Sequence, residues 1–99
     1  MSREKLSTNE IETLLQGLDG WTLADDGLAI GKTFKFGGFA RAFGFMAECA
    51  LYAEKLDHHP EWSNVYRTVE IKLSTHSAKG LSKLDFDLAT LMDKAASHH

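Results

Sequence analysis

The sequence has one cysteine, one proline and no long run of hydrophobic residues. A single cysteine cannot form a disulfide within the chain, and the apolar neighbours of Cys49 suggest an ordinary buried thiol, compatible with a reducing compartment. The longest apolar-rich segment is interrupted by Arg41, Gly44 and Glu48, and the polar N-terminus does not resemble a signal peptide. We therefore expect a cytoplasmic protein without a transmembrane helix.

Blocks of lysine and arginine are also missing, and the formal net charge is -3 with histidine counted as neutral. Proteins that bind the phosphate backbone of nucleic acids present a positively charged surface, so direct nucleic-acid binding is disfavoured. Hydrophobic residues make up 43% of the chain, and charges of both signs are scattered along it, which predicts a folded protein. The 99 residues fit one domain, residues 1–99.

Several motifs that carry chemistry are absent. No H-E-x-x-H or C-x-x-C pattern occurs, so a structural zinc site is disfavoured and no metal is expected. No G-x-S-x-G segment supplies the nucleophile of a serine hydrolase. Gly31-Lys32-Thr33 resembles the end of a phosphate-binding loop, but Asp26 stands where that loop needs glycine. We therefore reject nucleotide binding at this segment.

The N-terminal part of the sequence predicts a helix followed by a β-hairpin. Ser7 and Glu10 have the spacing of a capping box, and the apolar residues behind them recur on one helical face as far as Gly17. Apolar residues then alternate through residues 21–36 on both sides of the turn sequence Asp25-Asp26-Gly27. This alternation is typical of two paired strands.

The segment 39–56 predicts a second helix, in which the polar and glycine positions are confined to one narrow stripe. That stripe consists of Arg41, Gly44, Glu48, Tyr52 and Lys55. The rest of the helix surface is apolar, and so broad an apolar surface needs cover from the sheet and from a neighbouring helix or subunit.

The C-terminal part predicts a strand and a final helix. Residues 69–73 alternate between apolar and polar side chains, and His76 falls in phase with the polar face of that strand. Ser82 and Asp85 form a second box-like cap that opens the last helix. The order α-β-β-α-β-β-α favours an α+β sandwich of two layers, a four-stranded antiparallel sheet with helices on one face.

Adjacent histidines precede the only proline of the sequence. Proline disfavours the helical conformation of the residue before it, so the second helix must stop at or before His59. In a loop, His58 and His59 can both face one pocket, although a histidine at a helix C-terminus is also stabilised by the helix dipole alone. His76, Glu54 and Trp62 make a compact cluster plausible, and imidazoles that titrate near neutrality suit acid–base chemistry.

Three stretches carry a family resemblance. EKLDHHPEWSNVY, LSTH and GLSKLD, together spanning residues 54–85, closely resemble the pterin-4a-carbinolamine dehydratase family. The resemblance implies dehydration of a 4a-hydroxytetrahydropterin to a quinonoid dihydropterin, in the recycling of tetrahydrobiopterin after aromatic amino-acid hydroxylation. It also implies that the pterin is the substrate and that no cofactor is needed.

The resemblance further implies roles for individual residues. His58 and His76 would be general acids on the two faces of the pterin, while His59 would help bind the substrate and assist proton transfer. Glu54 would lie at the substrate-binding site and support or orient the histidines.

Two further positions have weaker claims to the substrate site. Trp62 could close one side of the pocket, and a purely structural role explains it about equally well. Asp85 matches an acidic position of the family, but its role as the third residue of a helix cap is favoured. His98 and His99 are assigned no function, as a frayed terminus or a remnant of an expression tag explains them.

The family also includes animal members that act as dimerisation cofactors of a transcription factor, so a non-catalytic interaction module is the alternative function. Both functions would use oligomerisation, because the apolar second helix and an unpaired sheet edge can pair with a second chain. We expect a homodimer or homotetramer.

Overall fold

A computed structural model describes residues 3–99, which fold in the predicted order of helices and strands. The helices are α1 (Thr8–Gln16), α2 (Phe39–Leu56) and α3 (Lys83–Ala96), and the strands are β1 (Thr22–Leu23), β2 (Ile30–Lys35), β3 (Glu61–Val65) and β4 (Thr68–Leu73). The strands form one antiparallel sheet in the order β1-β2-β4-β3.

Local capping signals place the ends of the helices. Ser7 and Glu10 form the expected capping box, in which the Ser7 N–H donates to Glu10 Oε1 at 2.9 Å and the Glu10 N–H donates to Ser7 Oγ at 3.2 Å. Gly17 caps the other end of α1, and a second capping box at Ser82 and Asp85 opens α3. These contacts satisfy backbone N–H and C=O groups that helix ends leave unpaired, which confirms the predicted boundaries.

Alternating side chains give the sheet one buried and one open face. In β4, Val69, Ile71 and Leu73 are buried, whereas Glu70 and Lys72 between them are exposed. The buried face packs against α2 and α3 around a continuous apolar core. This confirms the two-layer α+β sandwich with helices on one face. Within residues 3–99, no helix combines the length and the apolar character that crossing a bilayer requires.

The structure differs from the sequence prediction at two strand ends. The first hairpin strand, Thr22–Leu23, is only two residues long, and Trp21 before it is buried, with its indole N–H donating to Asp93 of α3 at 3.0 Å. The strand before His76 ends at Leu73, and His76 begins a 3₁₀ turn, His76–Ala78. The prediction that His76 continues the polar face of this strand is therefore wrong.

Candidate active site

The chain reversal at the C-terminus of α2 places the side chains of the two adjacent histidines in different environments. Asp57 adopts a left-handed conformation with a φ of 50°, and the His58 N–H donates to the carbonyl of Ala53 at 3.0 Å. This pattern reverses the chain directly after the helix, within the limit that the proline predicts. As a result, the side chain of His58 is buried and that of His59 is exposed.

His58 is held by a fully buried carboxylate. Its Nε2 lies 2.6 Å from Oδ1 of Asp85, whose exposed fraction is 0%. The other oxygen of Asp85 accepts from the Thr75 hydroxyl at 2.8 Å and from the Ser82 N–H at 2.9 Å. Both carboxylate oxygens therefore have partners, and the imidazole is fixed in orientation, as buried polar groups require.

Asp85 has two predicted roles. Its predicted role as the cap residue of α3 is confirmed. Its weaker predicted role, a direct contact with substrate, stays a prediction, and the side chain has no exposed surface in this structure. Its hydrogen bond to His58 was not predicted, since 27 residues separate the two and no local pattern links them.

His59 has a different carboxylate partner. Its Nε2 lies 2.7 Å from Oε1 of Glu54, which is just before the end of α2. Both side chains are more than half exposed, 56% for His59 and 78% for Glu54. Glu54 thus orients the exposed imidazole, while the buried one depends on α3.

His76 reaches the same region from the segment that follows β4. The 3₁₀ turn that it opens is closed by a backbone bridge between Thr75 and Gly80. Its side chain is 88% exposed, and its Nε2 lies 3.9 Å from Oε1 of Glu61. This imidazole has room to move toward a bound molecule.

The three histidines meet at one cleft of about 290 Å³. Its lining consists of Arg3, Asp57, His58, His59, Ser74, Thr75, His76 and Ser77. Arg3, whose guanidinium donates to the carbonyl of Asp57 at 2.8 Å, was not predicted to lie at the site. No motif marks this arginine. By contrast, some of the hydroxyl groups that line the cleft belong to the LSTH stretch of the resemblance, which could have identified them.

Trp62 lies apart from this lining. It pairs with Ile71 in the register of β3 and β4, so its side chain is on the core face of the sheet and packs against the core. The residues that line the cleft do not include it. Of its two predicted roles, the structural one agrees with this position, and the role at the substrate site stays a prediction.

A family model described as pterin 4 alpha carbinolamine dehydratase matches residues 4–95. A Sinorhizobium fredii protein is 56% identical over 97 residues, 98% of this chain and 92% of its own length. A Rhizobium johnstonii protein is 55% identical over 97 residues, 98% of this chain and 96% of its own length. The names of both relatives assign them provisionally to the pterin-4-alpha-carbinolamine dehydratases.

Two solved structures share the fold. A crystal structure of a "transcriptional coactivator/pterin dehydratase" from Brucella melitensis has a TM-score of 0.92 at 49% identity, covering 94% of this chain and 99% of that one. A "pterin dehydratase-like protein", a RuBisCO assembly factor of the alpha-carboxysome, has a TM-score of 0.68 at 22% identity, covering 78% and 89% of the two chains. The second likeness shows the fold alone. From the match over almost its entire length, this chain belongs to the pterin 4 alpha carbinolamine dehydratase family.

Proposed function

We propose that this protein dehydrates a 4a-hydroxytetrahydropterin to the quinonoid dihydropterin by histidine acid–base catalysis, in the recycling of tetrahydropterin after aromatic amino-acid hydroxylation. The observation that carries the proposal is the convergence of three imidazoles on one cleft of about 290 Å³. That volume is at the lower end of small-molecule pockets and suits a flat bicyclic ring. Family membership supports the same reaction.

The reaction needs one proton donated and one removed. The hydroxyl on C4a leaves as water after it is protonated, and the adjacent N5 loses its proton as the C4a–N5 double bond forms. Electrons are redistributed within the ring, and none is transferred to another molecule. A cleft lined by several imidazoles provides an acid and a base near neutral pH, which explains the concentration of histidine here.

In this mechanism His58 is the most rigidly held acid. Nε2 of His58 is engaged by Oδ1 of Asp85 at 2.6 Å, so Nδ1 is the ring nitrogen left to give a proton to the leaving hydroxyl. A buried carboxylate that fixes the tautomer and orientation of a catalytic imidazole is a general arrangement in acid–base enzymes. Asp85 acts through His58 and is a positioning residue.

The other two imidazoles serve the remaining steps. His59, oriented by Glu54, helps hold the substrate and assists removal of the N5 proton. His76 comes from a different segment of the cleft lining than His58 and His59, and it is the acid for a hydroxyl on the opposite face of the ring. Ser74 and Ser77 also line the cleft and can pair with the donors and acceptors of the pyrimidine ring.

The test is the rate of 4a-hydroxytetrahydropterin breakdown with and without added protein, repeated after metal chelation. His58→Ala and His76→Ala should each lower turnover by ~10²–10⁴-fold, the usual contribution of one acid–base group. Glu70→Gln, on the open face of the sheet, is the matched control and should retain turnover. A folded His58→Ala variant with wild-type turnover would exclude this mechanism.

We further infer that the protein forms at least a homodimer. On α2, the side chains of Phe39, Phe43 and Leu51 are between 52% and 70% exposed, and the first two rings lie 6.0 Å apart. An apolar stripe of this kind marks an interaction surface, and a second copy of the same helix is a self-complementary cover. Sedimentation should show an oligomer that Phe43→Asp dissociates, whereas a wild-type monomer at micromolar concentration would overturn the inference.

The exposed apolar stripe of α2 also favours a second candidate function, a non-catalytic interaction module that regulates a partner protein. The similar Brucella melitensis protein is described as both a transcriptional coactivator and a pterin dehydratase. Turnover measurements separate the two functions for this chain. Wild-type protein that lacks turnover but binds a partner through Phe39 and Phe43 would be a module, and turnover lost on His58→Ala supports the enzyme.

A further inference from the structure

The two histidines that end the sequence dock against the polar stripe of α2. Glu48 is at the centre of this contact, and its Oε1 lies 2.8 Å from Nε2 of His98 and 2.8 Å from Nε2 of His99. The ligating atoms of the three side chains all lie within 4.8 Å of one another. Two imidazole nitrogens and a carboxylate oxygen therefore converge on one point, outside the pterin cleft.

Neighbouring groups hold this cluster in place. The Tyr52 hydroxyl donates to Oε2 of Glu48 at 2.5 Å, which leaves Oε1 facing the histidines. Arg41 donates to the carbonyl of His99 at 3.1 Å, and the His99 ring meets the Phe45 ring edge-on at 6.5 Å. The contact is thus supported on several sides.

Gly44 leaves the space that the His99 imidazole occupies. A Cβ atom at this position would lie 3.3 Å from Nδ1 of His99, which is closer than ordinary packing. The glycine in the polar stripe of α2 therefore has a specific consequence, close approach of an imidazole to the helix.

We propose that Glu48, His98 and His99 bind a divalent transition-metal ion of the zinc class. Imidazole nitrogen and carboxylate oxygen are ligands of Zn²⁺, and in a tetrahedral site with bonds of ~2.0–2.2 Å neighbouring ligand atoms lie about 3.4 Å apart. The distances of 2.8 Å between Oε1 of Glu48 and the Nε2 atoms of the two histidines need to increase by only about half an ångström. Such a change is within the reach of side-chain rotation.

The donor set also defines which ions fit. Two imidazoles favour Zn²⁺, Ni²⁺ and Cu²⁺ over Mg²⁺ and Ca²⁺, which prefer oxygen ligands. When the ion binds, each Nε2 presents its lone pair to the metal, so any proton on Nε2 moves to Nδ1 or leaves to solvent. His98 is more than half exposed, which leaves a fourth coordination position open to water.

A bound ion would join the segment after α3 to the middle of α2. His98 and His99 are 50 and 51 residues from Glu48, so the ion closes a long loop of the chain. A ligand that binds only the folded state raises the free energy of unfolding. Zn²⁺ should therefore raise the midpoint of thermal unfolding, and only when these three ligands are present.

Zinc titration of tag-free protein by calorimetry, with circular dichroism to check the fold, tests the site. Wild-type protein should take up one equivalent of Zn²⁺ and little Mg²⁺. Glu48→Gln and the double variant His98→Ala/His99→Ala should each weaken Zn²⁺ binding by at least ~10–100-fold, because losing even an outer-shell partner has that effect. Co²⁺ in place of Zn²⁺ should give the visible absorption of a four-coordinate site only in the wild-type arrangement.

The pterin cleft also contains histidines, so a matched control must separate the two places. His59→Ala/His76→Ala removes two cleft imidazoles and leaves the face of α2 unchanged, and it should bind Zn²⁺ as the wild type does. Three results would overturn the proposal: no Zn²⁺ uptake by wild-type protein, unchanged binding after His98→Ala/His99→Ala, or binding lost in the cleft control.

Discussion

Two histidine–carboxylate pairs flank the end of α2, and they have almost the same length but opposite surroundings. His58 and Asp85 are 2.6 Å apart with both side chains buried, whereas His59 and Glu54 are 2.7 Å apart with both side chains mostly exposed. Water solvates the exposed pair, while the buried carboxylate relies on protein donors alone. The distance between the two partners therefore says little about how much each pair contributes to the stability of the fold.

Burial decides the energetic difference. An exposed ion pair contributes ~0–1 kcal/mol, because solvent screens the charges and the side chains lose freedom. Removing one partner of a buried pair costs ~3–5 kcal/mol, because the other partner is left without compensation. The cleft thus combines one imidazole in a fixed position with two that can adjust to a ligand.

Asp85→Ala should produce the largest effect. It removes the partner of His58 and the cap of α3 together, and the free energy of unfolding should fall by ~3–5 kcal/mol. Urea unfolding measures the change. Asp87→Ala is the control on the same helix, since its pair with Lys83 is exposed and four residues apart, and it should cost at most ~0.5 kcal/mol. Equal losses of unfolding free energy in the two variants would show that burial does not determine how much a charged pair contributes.

Asp85→Asn should separate positioning from stability. The amide keeps the shape of the side chain, but it cannot accept from His58, Thr75 and Ser82 as the carboxylate does. Turnover of the 4a-hydroxypterin should fall by ~10²–10⁴-fold with KM little changed, because the reacting imidazole loses its orientation. Steady-state kinetics on folded protein measure both values, and a rise in KM alone would argue for a direct substrate contact instead.

Glu54→Gln should have a smaller effect at the exposed pair. The free energy of unfolding should change by less than ~1 kcal/mol. Turnover should fall by less than the ~10²-fold expected for loss of an acid–base group, since His59 remains. Added salt should reduce the difference between wild type and variant, because it screens exposed charges more than buried ones. A loss of turnover as large as that of Asp85→Asn would show that burial does not decide which histidine–carboxylate pair matters more.

The thiol of Cys49 should not react with an alkylating reagent under native conditions. Burial and the neighbouring charge of Glu48 raise the pKa of its thiol to about 12, and the side chain has no exposed surface. Since the thiolate is the reactive form, iodoacetamide at mildly alkaline pH should not modify native protein but should modify it in urea. Mass spectrometry distinguishes the two, and rapid native alkylation would show that this side of α2 opens readily.

Much of the fold follows from short-range signals. The capping pairs Ser7–Glu10 and Ser82–Asp85 each join residues three positions apart, so they could be recognised without knowing the fold. The bounds of α2 were predicted because a glycine pair precedes it and a proline follows it closely. The short first strand was not predicted, and neither was the hydrogen bond from Trp21 to Asp93 of α3, which joins residues far apart in the sequence.

The sequence by itself determined the helix boundaries, the alternation of the central strands and the histidine-rich segments of the cleft, because each depends on residues within a few positions of one another. Only the tertiary structure decided that Asp85 holds His58, that Trp62 faces the core and that His98 and His99 reach Glu48. Those contacts depend on how α2 packs against α3 and the sheet. Packing of this kind is set by the whole core at once, so no local pattern contains it.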